Sequence, residues 1–296
     1  MNSRPVTPSD FAALAKLTAD DEAALRGRPS HIAETDVATW LCGLDLERDS
    51  LLFEDDGNLL GWGWAEPYHA AGVHIGIVAH GAKGRGLGSR LIDFGQERLT
   101  DKGLSPFHMG TLAADREASK LAVARGYDDV RHFYEMAIQL EAPPSAPSLP
   151  EGFAIEPFDE HDLRAFHDAT EDAWRDHWDS HPMPFEQWWE ERRANPSHDA
   201  SLWSVVRHEG AIVATVRNEA NRNGGGYVAT LGVRREFRGR GLARALLLHT
   251  FRMFFDAGER RVSLGVDADS PTGATKLYES VGMEIENEEI MWRKAS

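Results

Sequence analysis

Disulfides, long apolar runs and an excess of basic residues are all missing from this 296-residue chain. Its one cysteine, Cys42, cannot form an intramolecular disulfide, and the opening residues MNSRPVTPSD lack the apolar stretch of a secretory signal. No segment reaches the roughly 18 to 20 uninterrupted apolar residues that a membrane helix needs. We therefore expect a cytoplasmic protein with no membrane partner.

Basic residues are outnumbered by acidic ones. The chain holds 32 lysines and arginines against 48 aspartates and glutamates, which gives a formal charge of −16. Because nucleic acids and acidic membranes bind basic surfaces, neither is an expected partner. Any anionic ligand would need a local cluster of cations. Hydrophobic residues at 42% and charged residues at 27% are ordinary for a globular chain and argue against global disorder.

The chain contains an internal repeat. The segment KGRGLG at residues 83–88 returns as RGRGLA at residues 238–243, a shift of 155. Flanking matches are Pro5 with Pro157 and Asp10 with Asp162 at a shift of 152, and Leu121 with Leu277 and Gly126 with Gly282 at a shift of 156. A slow drift in one direction is expected of an ancient duplication. The chain is also about twice the usual domain size of roughly 100 to 150 residues.

A proline-rich segment, EAPPSAPSLP at residues 141–150, separates the two copies. Proline fixes φ and removes a backbone donor, so this stretch favours an extended, semi-rigid spacer. The expected organisation is an N-terminal domain at 1–140, a linker at 141–152 and a C-terminal domain at 153–296.

Each half alternates between helical and strand patterns. In the second half the patterns predict helices at 162–178, 184–193, 241–255 and 272–281, and strands at 202–206, 211–216, 227–233, 261–266 and 284–292. The first half follows the same plan, with a hairpin around Asp56-Gly57, a strand at 73–78 and a helix after Gly86. The expected fold class is α/β (α+β), present twice.

The repeated glycine-rich segment lies between a predicted strand and a predicted helix. Such a turn presents unpaired backbone N–H groups at the positive end of a helix dipole, which suits a phosphate or pyrophosphate. Gly239 and Gly241 allow turn conformations that are barred to other residues. Cations around this loop are Arg234, Arg235, Arg238, Arg240 and Arg244. Neither the dinucleotide motif Gly-x-Gly-x-x-Gly nor the P-loop motif Gly-Lys-Ser/Thr fits the segment.

These residues resemble the pyrophosphate loop of the GNAT acetyltransferases, Gln/Arg-x-x-Gly-x-Gly/Ala at a strand-to-helix junction. Residues 238–243 satisfy that pattern fully, and residues 83–88 satisfy it with lysine in place of arginine. Leu277-Tyr278, followed by Gly282, and the segment DSPTGA at 269–274 add to the match. The resemblance covers nearly the whole chain and implies two tandem GNAT folds, each a mixed, mostly antiparallel sheet flanked by helices. The two-domain layout is similar to that of the mycothiol synthases.

The resemblance implies that the loops hold acetyl-CoA, with the strand backbone before the loop pairing with the pantetheine arm. In the second half the implied cofactor-binding residues are Leu231, Gly232, Val233, Arg238, Gly239, Arg240, Gly241, Leu242, Ala243, Arg244 and Ser270. In the first half they are Gly76, Ile77, Val78, Lys83, Gly84, Arg85, Gly86, Leu87, Gly88 and Ser89. Ser270 departs from the family, which often has asparagine at that position.

Tyr278 stands at the family's tyrosine position, where a phenol donates a proton to the departing thiolate. Ala122 takes its place in the first half, so we expect a first half that is weak or silent in catalysis; the alternative is that it works without a tyrosine, as some family members do. For the general base, Glu219 is the closest carboxylate in sequence and could act through a water. Its alternative interpretation is a solvated residue at a hairpin end. Tyr227 occupies the register where some tandem relatives carry a glutamate.

The region that forms the acceptor side in this family is rich in acids and tryptophans. Trp174, Trp178 and Asp176 are expected to bind the acceptor, since an acidic, aromatic wall would attract a cationic amine. The alternative is that the acids are simply solvated. The acids are Glu171, Asp172, Asp176, Asp179, Glu186, Glu190 and Glu191. His177 and His181 lie four residues apart, but no glutamate lies between them, and no metal is expected.

Two functions from different classes follow. The first is an N-acetyltransferase that moves an acetyl group from acetyl-CoA to the primary amine of a small acceptor, by direct attack in a ternary complex. The second is a non-catalytic acyl-CoA-binding sensor or interaction protein. The intact second half favours the enzyme, and the missing tyrosine of the first half favours the sensor. Mycothiol-type compounds, antibiotic amines, polyamines and peptide N-termini all remain open as acceptors, and a monomer or homodimer is expected.

Overall fold

The chain forms two compact units in the computed structural model, which describes residues 1–69, 71–178 and 180–295. The first unit consists of Met1–Phe133 together with the chain from Asn287 onward, and the second of Tyr134–Glu286. Of the helices in these ranges, none is both long and apolar enough to cross a membrane.

The first unit places two helices and a short third one before its main strands. Its elements are β1 (Asn2–Arg4), α1 (Phe11–Arg26), α2 (Glu34–Trp40), α3 (Leu46–Asp49), β2 (Ser50–Asp55), β3 (Asn58–Tyr68), β4 (Ala71–Val78), α4 (Leu87–Asp101), β5 (Phe107–Leu112), α5 (Arg116–Ala124) and the first part of β6 (Asp128–Gln139). The pairs β1–β2, β2–β3 and β3–β4 are antiparallel, and β4–β5 is parallel.

The second unit repeats this order. It receives the end of β6 and continues with β7 (Phe153–Pro157), α6 (Leu163–Trp174), α7 (Phe185–Ala194), β8 (Ser204–His208), β9 (Ala211–Arg222), β10 (Gly225–Val233), α8 (Leu242–Asp256), β11 (Arg261–Asp267), α9 (Ala274–Ser280) and β12 (Glu284–Lys294). The pairs β7–β8, β8–β9 and β9–β10 are antiparallel, and β10–β11 is parallel. Each unit is therefore a mixed, mostly antiparallel sheet flanked by helices, as the sequence predicts.

Helix α8 covers one face of the second sheet because its apolar residues recur at helical spacing. Leu247 and Phe251 are four residues apart and fully buried, and they share a core cluster with Val216 of β9 and Val262 of β11. This packing holds the N-terminus of α8 beside the ends of β10 and β11.

The last strand of the chain returns to the first unit. Residues Glu289 to Lys294 of β12 pair antiparallel with β5. Trp292 is buried there, and its indole N–H donates to Thr111 Oγ1 at 2.8 Å. In the second unit, Met136 from the end of β6 packs into the core that α8 covers.

The sequence patterns located the main elements of the second unit, with two errors. The predicted helix at 162–178 is wrong at its end, because α6 stops at Trp174. There the Arg238 guanidinium donates to the Ala173 carbonyl at 2.8 Å and satisfies one of the carbonyls left open at a helix C-terminus. The five-residue strand β7 was missed, since it ends on Pro157 and pairs with β8 only, as an edge strand can.

Candidate functional site

A cleft opens in the second unit where its two parallel strands separate. β10 and β11 are paired at Gly226–Val262 and Tyr227–Ser263, after which β10 continues to Val233 beside β9 alone. The cleft between the diverging ends has a volume of about 330 Å³. Because β9 occupies only one edge of β10, the backbone groups of its last residues that face the cleft are open to a ligand.

The glycine-rich loop closes one end of this cleft. Gly239 and Gly241 have φ of 75° and 80°, the left-handed region that side chains with a Cβ rarely adopt. Nothing lies within 4 Å of a Cβ built on either glycine, so the loop faces open space. Gly241 is the N-cap of the 15-residue helix α8, whose first backbone N–H groups therefore point toward the cleft.

The arginines of the loop divide into two groups. Arg238 is anchored by Asp176, by the Val233 carbonyl and by the end of α6, with 2.9 Å from its Nη1 to Asp176 Oδ2. Arg235 pairs with the same carboxylate, and the hydrogen bond from Arg238, with the charges of both arginines, holds the pKa of Asp176 below its usual range. Arg244 is exposed and lines the cleft. Arg238 is thus held in place by the protein, while the charge of Arg244 faces the cleft.

Tyr278 lies in the cleft on helix α9. Its side chain is 8% exposed, and burial raises the pKa of its phenol to about 12, with a further contribution from Tyr227. A phenol with that pKa stays protonated at every ordinary pH. It therefore keeps its proton inside the cleft and is unsuited to accept one.

Glu219 is buried on β9 and is not among the described residues that line the cleft. It pairs with Arg217 and with Arg222, whose Nη1 lies 2.6 Å from Glu219 Oε2. Burial alone would raise the pKa of Glu219, but the two guanidinium groups outweigh it and hold the pKa below its ordinary value. A carboxylate held by two arginines is a weak proton acceptor, so the geometry gives no support to Glu219 as a base in this arrangement.

Only some of the residues expected to bind the acceptor line the cleft. Trp174 and Asp176 line the cleft, and Trp178 is not among the lining residues that the structure describes. Several of the neighbouring acids form exposed ion pairs, among them Glu186 with Arg164 at 3.0 Å. Asp179 lies outside the described residues. Within the part of the chain that the structure describes, Asp176 is the one acid of the expected wall that reaches the cleft, and it is already paired with arginines.

Most of the expected cofactor residues come together. Those lining the second cleft are Leu231, Gly232, Val233, Arg238, Gly239, Gly241, Leu242, Ala243, Arg244 and Ser270. Arg240 is exposed instead, with its guanidinium 5.4 Å from the centre of the Phe237 ring. Sequence reasoning missed Gly265 and Asp267 on the opposite strand. A signal was present for Gly265, because Gly110 lies 155 residues earlier and lines the first cleft.

The first unit has a cleft of about 280 Å³ at the same place. β4 and β5 are paired from Gly72–Phe107 to His74–Met109 and then separate. Gly84 and Gly86 repeat the backbone of the second loop, with φ of 78° and 80°. Expected residues lining this cleft are Gly76, Val78, Lys83, Gly84, Gly86, Leu87, Gly88 and Ser89, while Ile77 packs against the core and Arg85 pairs with Asp55.

The first cleft differs from the second in its chemical groups. Ala122 is buried in the core of the first unit, where it offers no proton donor. Lys83 is held between Asp115 at 2.7 Å and Asp21 at 2.9 Å. These carboxylates outweigh the effect of burial and raise the pKa of Lys83. The first unit keeps the loop backbone, and its leading cation is paired with carboxylates, as Arg238 is with Asp176 in the second unit.

Diverging parallel strands, with a glycine loop that opens a helix across their ends, form an anion-binding cleft, and the sequence comparison places the chain in a family. The model of the acetyltransferase (GNAT) family matches residues 163–283. The chain is 31% identical over 255 residues to the mycothiol acetyltransferase of Thermobispora bispora, an alignment that covers 82% of this chain and 83% of that protein. The chain belongs to the GNAT acetyltransferase family.

Other relatives extend the likeness to both units. The mycothiol acetyltransferase of Geodermatophilus obscurus is 30% identical over 271 residues, which cover 84% of this chain and 82% of that one. The crystal structure of a GCN5-related N-acetyltransferase from Sphaerobacter thermophilus superposes with a TM-score of 0.87 at 31% identity, covering 99% of this chain and 95% of the other. A tandem GNAT protein of the clavulanic acid pathway shares the fold at 16% identity, with a TM-score of 0.75 and coverage of 99% and 98%. The chain is thus an acetyltransferase built from two tandem GNAT folds.

Proposed function

We propose that this protein is an N-acetyltransferase that moves an acetyl group from acetyl-CoA to the primary amine of a small acceptor. The observation that carries the proposal is the second cleft, which has an anion-binding loop at one end and a buried, protonated Tyr278 on its wall. A binding module would need the loop, but it would not need a buried phenol with a raised pKa.

The residues of the second cleft fit the cofactor. The left-handed Gly239 and Gly241 leave room for a pyrophosphate against the backbone N–H groups of α8, with Arg244 beside them. The free edge of β10 at 231–233 would hold the pantetheine arm by backbone hydrogen bonds. When bound, acetyl-CoA would supply the acetyl group as an activated thioester.

The protein's own groups would then manage the protons. With both substrates bound, the neutral acceptor amine would displace the thiol of the thioester, so that a C–N bond forms as the C–S bond breaks. Tyr278 would donate its proton to the departing sulfur. Because Glu219 is held by two arginines, we propose that the proton lost by the attacking nitrogen passes through water to bulk solvent rather than to this carboxylate.

The acceptor is proposed as a small amine, and the amine precursor of mycothiol is the first compound to try, given the curated relatives. Trp174 at the cleft suits either a cationic or a neutral amine. Asp176 is committed to Arg235 and Arg238, so it supports a cationic acceptor less than the sequence suggested. A cytoplasmic location and a monomeric or homodimeric state stay predictions.

We propose that turnover belongs to the second unit, since Ala122 leaves the first without a phenol at the matching position. Two equivalent glycines test this division. Gly241→Val and Gly86→Val place a β-branched side chain at the same φ of 80° in open space, so the two changes impose matched strain. Valine lets the free loop relax away from the left-handed conformation, and restoring that conformation on binding costs about 1–2 kcal/mol, which is roughly a tenfold loss in affinity. We expect Gly241→Val to lower kcat/KM about tenfold or more and Gly86→Val to leave it unchanged.

The measurement is release of free CoA thiol from acetyl-CoA with a panel of mycothiol-type, polyamine, aminoglycoside-type and peptide amines. Circular dichroism of both variants controls for folding. Equal losses in the two variants would contradict the division between units. Binding of acetyl-CoA by calorimetry, without transfer to any amine above background, would favour the sensor over the enzyme.

A further inference from the structure

Trp174 carries a buried hydrogen-bond donor that nothing in the described part of the chain uses. The residue ends helix α6 and lines the second cleft. Its indole Nε1 is buried, and among the described residues it has no hydrogen-bond partner. The indole packs against His177, with the two ring centres 4.6 Å apart. A fixed donor without an acceptor is costly, and such groups usually have a partner in the bound state.

The indole nitrogen lies beside the strand that the cofactor would follow. A Cβ built on Gly232 would lie 3.6 Å from Trp174 Nε1 and 2.7 Å from the Cβ of Ala173. Gly232 is the middle residue of the free edge of β10, between Leu231 and Val233. The donor is therefore next to the midpoint of this edge, and any side chain at position 232 would collide with α6.

We propose that the indole N–H of Trp174 donates a hydrogen bond to an amide carbonyl of the pantetheine arm as the arm passes Gly232. This inference rests on the proposed use of acetyl-CoA. Trp174 is then a cofactor-positioning residue that contacts the pantetheine arm and not the nucleotide. It holds the arm from the helical side, while the backbone of β10 holds it from the sheet.

The first unit lacks this donor. The repeat shift of 152, which relates Asp10 to Asp162, places Glu22 at the position of Trp174, with Asp21 next to it. Asp21 contacts Lys83, and burial raises the pKa of its carboxyl against the effect of that lysine. A carboxylate cannot donate a hydrogen bond to a carbonyl. The two clefts would therefore bind an amide-containing arm differently, even though their loops have the same backbone conformation.

The test compares two ligands that differ in the arm. Trp174→Phe keeps an aromatic ring beside His177 and removes the N–H, and Trp189→Phe is the matched control, since Trp189 lies on α7 and is not among the described residues lining the cleft. Calorimetry gives Kd for CoA and for adenosine 3′,5′-bisphosphate, which has no pantetheine. All variants carry Gly86→Val, so that the measured Kd reports on the loop of the second unit.

We expect Trp174→Phe to raise Kd for CoA about five- to tenfold and to leave Kd for the bisphosphate unchanged, as the loss of one neutral hydrogen bond predicts. Trp174→His, which restores a ring N–H, should recover part of the affinity. An unchanged Kd for CoA would overturn the inference, and so would equal losses for both ligands, which indicate a damaged cleft. If the unsubstituted chain binds no CoA, the proposed function itself fails.

Discussion

One buried hydroxyl separates the chemistry of the two units. Tyr278 and Ala122 occupy the same place in the repeat, on helices that follow equivalent strands. Alanine has no titratable group for burial to affect. Burial of a phenol disfavours its charged form, and the pKa of Tyr278 therefore rises to about 12. Both copies therefore have the glycine-rich loop, and one of them has a phenol at this position.

Replacing Tyr278 by phenylalanine should lower kcat about 100-fold with little change in KM, since a general acid contributes at least that much. The folded pKa of about 12 keeps the phenol protonated below pH 11 or so, and the loss should thus be the same from pH 6 to 10. Initial rates over that range check this, with Tyr134→Phe as the control. A kcat that is unchanged at every pH would remove Tyr278 from the mechanism.

Helix α4 is seated on its strand through a glycine. Gly95 lies in the middle of the helix and is buried against His74 of β4, whose Nε2 lies 2.7 Å from the Tyr127 hydroxyl. A Cβ on Gly95 would collide with the His74 ring and lie 2.8 Å from its Nδ1. In the second unit the equivalent position of α8 holds Thr250, so each helix matches its own strand.

Gly95→Ala should destabilise the first unit by about 1–3 kcal/mol, because overpacking against His74 outweighs the gain of roughly 1 kcal/mol that alanine brings to a helix interior. Urea unfolding monitored by fluorescence gives the change in the free energy of unfolding. Glu97→Ala, at an exposed position of the same helix, is the control and should change it by less than about 0.5 kcal/mol. A more stable Gly95→Ala protein would contradict the packing argument.

The chain closes the first unit with its last residues. Trp292 arrives 159 positions after Phe133, where the first stretch of that unit ends, and packs in a cluster with Met109, Ala122 and Tyr127. Residues from β12 therefore supply part of the core of the first unit.

Trp292→Ala should cost the first unit about 3–5 kcal/mol, through lost burial and the broken hydrogen bond to Thr111. Hydrogen exchange should accelerate in residues 107–112 of β5 and stay slow in residues 211–222 of β9, which belong to the second unit. Arg293→Ala is exposed and should change neither. Equal acceleration in both strands would mean that Trp292 does not act on the first unit alone.

The duplication, the phosphate loop and Tyr278 could be predicted from the sequence because each depends on local chemistry. A loop with two left-handed residues before a helix favours the sequence Gly-x-Gly in any surroundings. The φ values of Gly84 and Gly86 are nearly the same as those of Gly239 and Gly241. The periodicities that marked α8 and β10 are equally local. Errors fell where a remote group intervened, as at the end of α6, which Arg238 caps from 64 positions beyond Trp174.

Distant contacts account for what the amino-acid order could not convey. Glu219 is the exception, because its two guanidinium partners, Arg217 and Arg222, lie two and three positions away on the same strand. The return of β12 to the first unit, the indole nitrogen of Trp174 near Gly232 and the pairing of Asp176 with the loop join residues far apart along the chain. Sequence motifs show which side chains are present. Long-range packing determines which of those side chains already have a hydrogen-bond or ion-pair partner and which face the cleft.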